Sequence, residues 1–198
     1  MPYILVLYYS STGSTALLAQ EVALGIESVT GIEAMIRTVP EVSPTSEATD
    51  SVIPDDGPPF VSIEDLQHCS GLALGSPTRF GNMAAPLKYF IDQTGGLWQS
   101  GALINKPAGV FTSTGSLHGG QETTLISMML PLIHHGALIV GVPYNEPALS
   151  TTTAGGTPYG PSHTSGSNNT QLLTPEEKAI AKTLGKRIAQ TALTLMDT

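Results

Sequence analysis

The stretch Tyr8-Tyr9-Ser10-Ser11-Thr12-Gly13-Ser14-Thr15 decides the fold of this chain. It follows an apolar run over residues 3–7, which is short and β-branched enough to predict a buried strand. It precedes a helical pattern in which apolar residues recur every three or four positions over residues 18–29. The sequence therefore predicts a strand, a turn rich in hydroxyl groups, and a helix.

The turn over residues 10–15, here called the first loop, has the chemistry of an anion site. Free N–H groups at the start of the helix, the positive end of the helix dipole and several hydroxyl donors converge there. The loop contains no Lys or Arg and matches neither G-x-x-x-x-G-K-[ST] nor G-x-G-x-x-G, which argues against an ATP or GTP site and against a dinucleotide fingerprint. A Ser/Thr cap on an ordinary helix is the structural alternative to a phosphate site.

Composition and charge argue against several classes of function. With 198 residues and a hydrophobic fraction of 40%, the chain suits one domain over residues 1–198. The formal net charge of −8 and the scattered Lys and Arg argue against nucleic acid as a partner. Cys69 is the single cysteine and the histidines are scattered, so we expect neither a disulfide nor a metal site. No signal peptide and no membrane-spanning run are evident, which predicts a soluble, cytoplasmic protein.

Strand and helix patterns alternate along the chain, which is typical of a parallel sheet with helices on both faces. The predicted strands cover residues 3–7, 32–39, 71–75, 106–112 and 137–142. The patterns predict a turn at 76–82, a loop at 95–101, an acidic, Pro-rich exposed insertion at about 40–61 and a long irregular loop at about 143–172.

Two further loops of unusual composition also follow predicted strands. They are the second loop, residues 76–82, and the third loop, residues 113–120, which is rich in Gly and hydroxyl residues. Ligands of parallel α/β sheets bind beyond the carboxyl ends of the strands. Because all three loops leave such ends, the sequence predicts a site for a cofactor that carries phosphate.

Short motifs in a fixed order carry a family resemblance over nearly the whole chain. They are Val6-Leu-Tyr-Tyr-Ser10, Gly75-Ser-Pro-Thr-Arg-Phe-Gly-Asn-Met83, Asp92-Gln-Thr-Gly-Gly-Leu-Trp98, Ser113-Thr-Gly115, Gly119-Gly-Gln-Glu122, His134-His-Gly136 and Gly155-Gly-Thr-Pro-Tyr-Gly160. With these motifs the chain resembles the flavodoxin-like NAD(P)H:quinone oxidoreductases of the WrbA type, the tryptophan-repressor-binding-protein family.

The resemblance implies a flavodoxin-like three-layer α/β sandwich, with a five-stranded parallel sheet in the order 2-1-3-4-5. It implies FMN as the cofactor and a homotetramer as the assembly. The implied reaction is the two-electron reduction of quinones to hydroquinones by NADH or NADPH, through ping-pong hydride transfer at FMN. The flavin does the chemistry, so no dedicated nucleophile or acid–base pair is required.

The resemblance also implies roles for particular residues. The FMN phosphate is expected at Ser10, Ser11, Thr12, Gly13, Ser14 and Thr15. The isoalloxazine ring is expected at Pro77, Thr78, Arg79, Phe80 and Gly81, and the ribityl chain and ring at Ser113, Thr114, Gly115, Ser116, Leu117 and His118. His134 is expected to approach the flavin from a neighbouring chain, and Trp98 and Thr12 to contact the substrates. Arg79, Trp98 and His134 are the supporting candidates in catalysis.

Two departures from the family pattern and several alternatives accompany this interpretation. Thr12 stands where the family often has an aromatic residue, and residues 116–118 replace a shorter glycine-rich run. As structural alternatives, Arg79 is a surface residue, His134 meets a helix dipole without further function, and Trp98 anchors the core. The alternative functions are a one-electron carrier of the flavodoxin kind, which the net charge of −8 suits, and a non-enzymatic regulatory partner.

Overall fold

A parallel β-sheet with helices on both faces forms the centre of the molecule. The computed structural model describes residues 1–42 and 57–196. Its elements are, in chain order, β1 (Tyr3–Tyr8), α1 (Ser14–Glu27), β2 (Glu33–Thr38), α2 (Ile63–His68), β3 (Gly71–Arg79), β4 (Asn82–Met83), α3 (Ala85–Asp92), α4 (Gly95–Ser100), β5 (Pro107–Thr114), α5 (Gln121–His134), β6 (Leu138–Ile139), α6 (Ala148–Thr151), β7 (Ser162–Thr164) and α7 (Pro175–Met196).

The strand order confirms the predicted flavodoxin-like sandwich. The main path through the sheet runs β2-β1-β3-β5-β6, while β4 pairs with β3 and β7 pairs with β5. Because β5 and β6 are the fourth and fifth strands of this path, the order corresponds to 2-1-3-4-5. The two additional short strands, β4 and β7, were not predicted.

Side chains of β1 alternate between two hydrophobic cores, one on each face of the sheet. Ile4 and Val6 pack with residues of α1 and α7, whereas Leu5 and Leu7 pack with residues of α2, α3 and α5. Both faces of β1 are covered, which explains why its sequence is a continuous apolar run rather than an alternating one.

The last predicted strand, residues 137–142, is largely wrong. Only Leu138–Ile139 form a strand there, and they pair with the amino-terminal part of β5. The carboxyl-terminal part of β5 pairs instead with β7, in parallel register. The segment 143–172 is therefore not a long irregular loop, because it contains α6 and β7. Elements of three or four residues are too short to show periodicity.

Two other local predictions also fail. Strand β3 continues through the predicted turn as far as Arg79 and then forms a hairpin with β4. The predicted loop at 95–101 contains helix α4, although it begins with two glycines. Burial of Leu97 in the core beside α3 accompanies this helix, so tertiary packing overrides the low helix propensity of glycine.

The predicted insertion at 40–61 lies only partly within the described residues, because residues 43–56 are outside them. On its far side, Phe60 forms an isolated bridge with Thr38, and α2 follows. Helix α2 begins with a reciprocal capping box between Ser62 and Asp65. Over residues 1–42 and 57–196, no helix combines the length and apolarity that a bilayer crossing requires.

Glycine allows α1 and α7 to approach each other closely. A Cβ atom on Gly185 would collide with the carbonyl oxygen of Val22, and a Cβ on Gly25 would collide with the carbonyl oxygen of Lys182. The two helices therefore pack backbone to backbone on one face of the sheet. This close contact sets the position of α1, which begins directly after the first loop.

We expect Gly185→Ala to destabilise the protein by about 1–3 kcal/mol, because the added methyl group forces α1 and α7 apart. In an unconstrained helix the same change would stabilise by about 1 kcal/mol. Gly96→Ala is the matched control, because among the described residues no atom outside its chain neighbours and its own helix backbone lies within 4 Å of its Cβ position. Equilibrium urea unfolding measures both variants. Equal or greater stability of Gly185→Ala would contradict the close contact.

Candidate functional site

Hydrogen bonds join the three loops at the carboxyl edge of the sheet. Arg79 Nη2 donates to Ser11 Oγ at 3.2 Å and connects the second loop to the first. The hydroxyl groups of Thr15 and Ser113 lie 2.8 Å apart in a buried hydrogen bond that connects the first loop to the third. The structure thus brings the predicted residues of all three loops into one cluster.

The first loop ends at the start of α1, where the first backbone N–H groups have no partner within the helix. Gly13 precedes α1 with φ 90°, a left-handed conformation that favours glycine. Ser10 Oγ accepts from the N–H groups of Gly13 and Ala16 at 3.1 and 3.4 Å, which shapes the turn. Within the described part of the chain, the N–H groups of Ser14 and Thr15 donate to no acceptor. The start of α1 therefore offers free donors to an anion.

The second loop ends in a strained hairpin. Arg79 pairs with Asn82, so Phe80 and Gly81 are the two central residues of the connection, with φ of 54° and 76°. Positive φ at both positions is typical of a type I′ turn, but it is uncommon for phenylalanine. The Phe80 side chain is fully exposed at this edge. Backbone strain of this kind is concentrated at ligand sites.

The third loop is anchored at its start and exposed at its tip. Ser113 and Thr114 are buried, and Ser113 lies beside Pro77 of β3 in the register of the sheet. Thr114 Oγ1 donates to the carbonyl of Ser116 at 2.7 Å. Residues 115–118 are exposed, so their polar groups and the ring of His118 are accessible to a ligand.

The three loops together carry one permanently charged side chain, the guanidinium of Arg79. The nearby Tyr9 hydroxyl donates to Glu41 Oε1 at 3.3 Å. Partial burial and then the Glu41 carboxylate raise the pKa of Tyr9, so this phenol is neutral at physiological pH. No group of three or more His, Cys, Asp or Glu side chains is placed to hold a metal ion in residues 1–42 and 57–196.

Trp98 and His134 do not join the loop cluster within one chain. His134 is exposed at the end of α5, about 20 Å along that helix from Gln121 beside the third loop. Trp98 is exposed on α4, which is tied to the same end of α5 by the hydrogen bond between Thr94 Oγ1 and His135 Nε2 at 2.9 Å. Both side chains therefore lie toward the amino ends of the strands.

Residues of α5 that support the loops from behind were not predicted from the sequence. Thr124 Oγ1 donates to Thr78 Oγ1 at 2.9 Å and ties α5 to the second loop. The buried Gln121 donates from Nε2 to the hydroxyl oxygens of Thr114 and Thr164, both at 3.0 Å. Gln121 falls within a motif that carried the resemblance, but its partner Thr164 lies on β7, which no local pattern indicates.

Comparisons with known proteins agree with this fold. The family model described as NADPH-dependent FMN reductase matches residues 2–146. A flavodoxin, WrbA-like protein from Agrobacterium tumefaciens superposes with a TM-score of 0.67 at 24% identity, over 98% of this chain and 99% of that one. A flavodoxin from the domain Archaea has a TM-score of 0.64 at 20% identity, over 96% and 99% of the two chains.

A more distant structural neighbour, described as flavone reductase, has a TM-score of 0.66 at 12% identity. The match covers 98% of this chain and 64% of that one. At these identities the structural neighbours establish the fold. The residues at the carboxyl edge also fit FMN chemically, because free N–H donors suit its phosphate and the exposed Phe80 suits a planar ring.

We expect Gly13→Ala to weaken FMN binding by about tenfold. Alanine favours relaxation of the empty loop out of the left-handed conformation, and restoring that conformation on binding costs about 1–2 kcal/mol. Riboflavin, which lacks the phosphate, should bind both proteins equally. Fluorescence titration of the apoprotein with each flavin makes the comparison, with Gly96→Ala as the control. An equal loss for FMN and riboflavin would show that the first loop does not hold the phosphate.

Proposed function

The chain belongs to the NADPH-dependent FMN reductase family, and from that premise we propose that it is an NAD(P)H dehydrogenase of quinones. FMN, when bound, supplies the two-electron chemistry between the nicotinamide and the quinone. The observation that carries the proposal is the convergence of three hydroxyl- and N–H-rich loops at one edge of the sheet. Either NADH or NADPH is the hydride donor in this proposal.

The first loop binds the phosphate end of the cofactor in this proposal. The N–H groups of Ser14 and Thr15 and the hydroxyl groups of Ser10, Ser11 and Thr12 act as neutral donors at the positive end of α1. These donors orient the phosphate by hydrogen bonds rather than by a cationic side chain.

The second and third loops hold the ring and the ribityl chain. Pro77 to Gly81 line the ring, and Ser113 to His118 provide hydroxyl, backbone and imidazole groups beside it. The turn at Phe80 and Gly81 is kept rigid by the hairpin and by the hydrogen bond from Gly81 N–H to Thr78 Oγ1 at 3.2 Å. The guanidinium of Arg79, together with N–H groups of this turn other than that of Gly81, would stabilise negative charge on the ring.

The substrate side of the site is completed by a neighbouring copy in this proposal. Trp98 and His134 lie too far from the loops of their own chain, so they would reach a ring only from another protomer. An apolar row of Ile126, Leu130 and Ile133 is exposed on α5 and supports association of copies. We propose a homotetramer in which Trp98 and Thr12 contact the nicotinamide and quinone.

Anaerobic absorbance titration of the FMN-loaded protein tests the reaction. We expect NADPH or NADH to bleach the flavin band, and benzoquinone to restore it at once, because both substrates use the same site in turn. The number of quinones reduced should equal the number of nucleotides oxidised.

Two outcomes contradict this proposal. If FMN binds but neither nucleotide bleaches it, the protein is not a nucleotide-dependent reductase. If FMN does not bind at all, the assignment of the three loops fails as well.

The net charge of −8 favours one alternative, a one-electron carrier of the flavodoxin kind. The two proposals differ in assembly, because a carrier needs no second copy at its flavin. Sedimentation equilibrium is expected to report a tetramer for the reductase. A monomer over micromolar to millimolar concentrations would favour the carrier and leave Trp98 and His134 without a role at the site.

A further inference from the structure

A buried histidine and a buried glutamate form a pair behind the third loop. His163 on β7 and Glu177 on α7 are both fully buried, and His163 Nδ1 lies 2.9 Å from Glu177 Oε2. The other ring nitrogen, Nε2, lies 3.1 Å from the backbone carbonyl oxygen of Gln171. A carbonyl oxygen can only accept a hydrogen bond, so Nε2 carries a proton.

Glu177 accepts hydrogen bonds from three backbone N–H groups as well as from the ring. Oε1 accepts from Gly155 and Thr164 at 2.9 and 3.1 Å, and Oε2 accepts from Thr174 at 2.9 Å. Burial alone would raise the pKa of Glu177, but the bonds from His163 and from the three N–H groups outweigh it and lower the pKa. Glu177 is thus a carboxylate, which can only accept.

The ring therefore donates from both nitrogens. A histidine whose Nδ1 faces a carboxylate and whose Nε2 faces a carbonyl satisfies both contacts only as an imidazolium. Glu177 is the ionisable group that faces this ring in the described part of the chain, and it balances the charge. The pair is a compact buried ion pair with all of its polar contacts satisfied.

This ion pair joins four segments that are separate in the sequence. It links Gly155, β7, the connection at Gln171 and the start of α7. Strand β7 contains three residues, and in the described residues it pairs with β5 alone, so its backbone pairing provides few hydrogen bonds. Glu177 contacts the ring of His163, the middle residue of β7, and accepts from the N–H of Thr164, the last residue of β7.

Strand β7 in turn supports the third loop. In the sheet register His163 lies opposite Ser113, and Thr164 lies opposite Thr114. Ser165, the residue after β7, donates from both its N–H and its hydroxyl to the carbonyl of Thr114, at 2.8 and 3.0 Å. The start of the third loop is therefore held from the side that the ion pair fixes.

We propose that His163 is a buried imidazolium which, paired with Glu177, acts as a positioning residue that holds the third loop ready for the flavin ring and ribityl chain. This inference rests on the proposed FMN site. Preorganisation of the loop saves the ordering free energy that a mobile loop would lose on binding. Its loss should affect contacts to the ring and ribityl chain, which riboflavin and FMN share.

The protonation state can be tested on the wild-type apoprotein without any flavin. Nitrogen-15 NMR of histidine rings should show both nitrogens of His163 protonated in the folded apoprotein, with slowly exchanging ring protons. Assignment uses the loss of this signal in His163→Gln. A ring with one unprotonated nitrogen would overturn the ion pair.

The positioning role can be tested with both flavins. We expect His163→Phe to weaken FMN and riboflavin alike, by about tenfold or more, because the third loop becomes mobile. Hydrogen exchange of the Ser165 N–H should accelerate in the apoprotein, while the amide of Val6 in the central strand stays protected. His163→Gln keeps N–H donors without the charge, so it should fall between wild type and His163→Phe.

Leu184→Ala is the control, because Leu184 lies in the core on the same helix α7 and contacts neither β7 nor the third loop through a hydrogen bond. It should lower stability and leave both flavin affinities unchanged. Unchanged affinities in His163→Phe and His163→Gln would overturn the positioning role. If neither variant folds, exchange in the wild type decides: a Ser165 N–H that exchanges as fast as the exposed tip of the third loop overturns it too.

The tests of His163 can fail or succeed independently of the proposed reductase activity. If wild-type protein binds FMN but NADPH and NADH fail to reduce it, the reductase proposal fails while the positioning test stands. If wild-type protein binds no flavin, the FMN site and the positioning role both fail, and only the ion pair survives.

Discussion

The parallel pairing of β1, β3 and β5 is the constraint on which the rest of the structure depends. Tyr8 lies opposite Gly75, and Gly75 lies opposite Phe111, so the three strands reach the same edge together. A side chain on Gly75 would collide with the ring of Phe111, which is fully buried. The glycine therefore allows close pairing and a filled core at once. Because neighbouring strands are about 5 Å apart, three loops that leave this edge can serve one ligand.

The chemistry at this edge suits an anionic cofactor on an acidic protein. Net charge of −8 repels phosphate at long range, but hydrogen-bond donors act at contact distance. The first loop uses N–H groups at the start of α1 for this purpose, and the second loop adds the guanidinium of Arg79. Because hydrogen bonds are directional, these donors also fix the orientation of the phosphate. A mobile cationic side chain would fix it less well.

Division of the last strand into β6 and β7 has a structural cost that the buried network offsets. A single continuous strand would hold its position beside β5 through its own ladder. The segment between residues 139 and 162 leaves the sheet, contains α6, and returns as three residues of β7. His163, Glu177 and Gln121 replace the missing ladder bonds with buried side-chain hydrogen bonds. Such satisfied polar networks specify a single arrangement of the segments they join.

The sequence by itself determined the alternation of strands and helices and the chemistry of the three loops, because long apolar runs, helical periodicity and glycine–hydroxyl turns are local signals. The flavodoxin-like strand order came from the resemblance of its motifs to a known family. Only the tertiary structure decided that Gly95 begins a helix, that β3 extends to Arg79, and that β7 supports the third loop. It also decided that Trp98 and His134 lie far from the loops of their own chain. The physical reason is that a three-residue strand or a helix that starts with two glycines is stable only through distant partners, and no window of sequence contains both sides of such a contact.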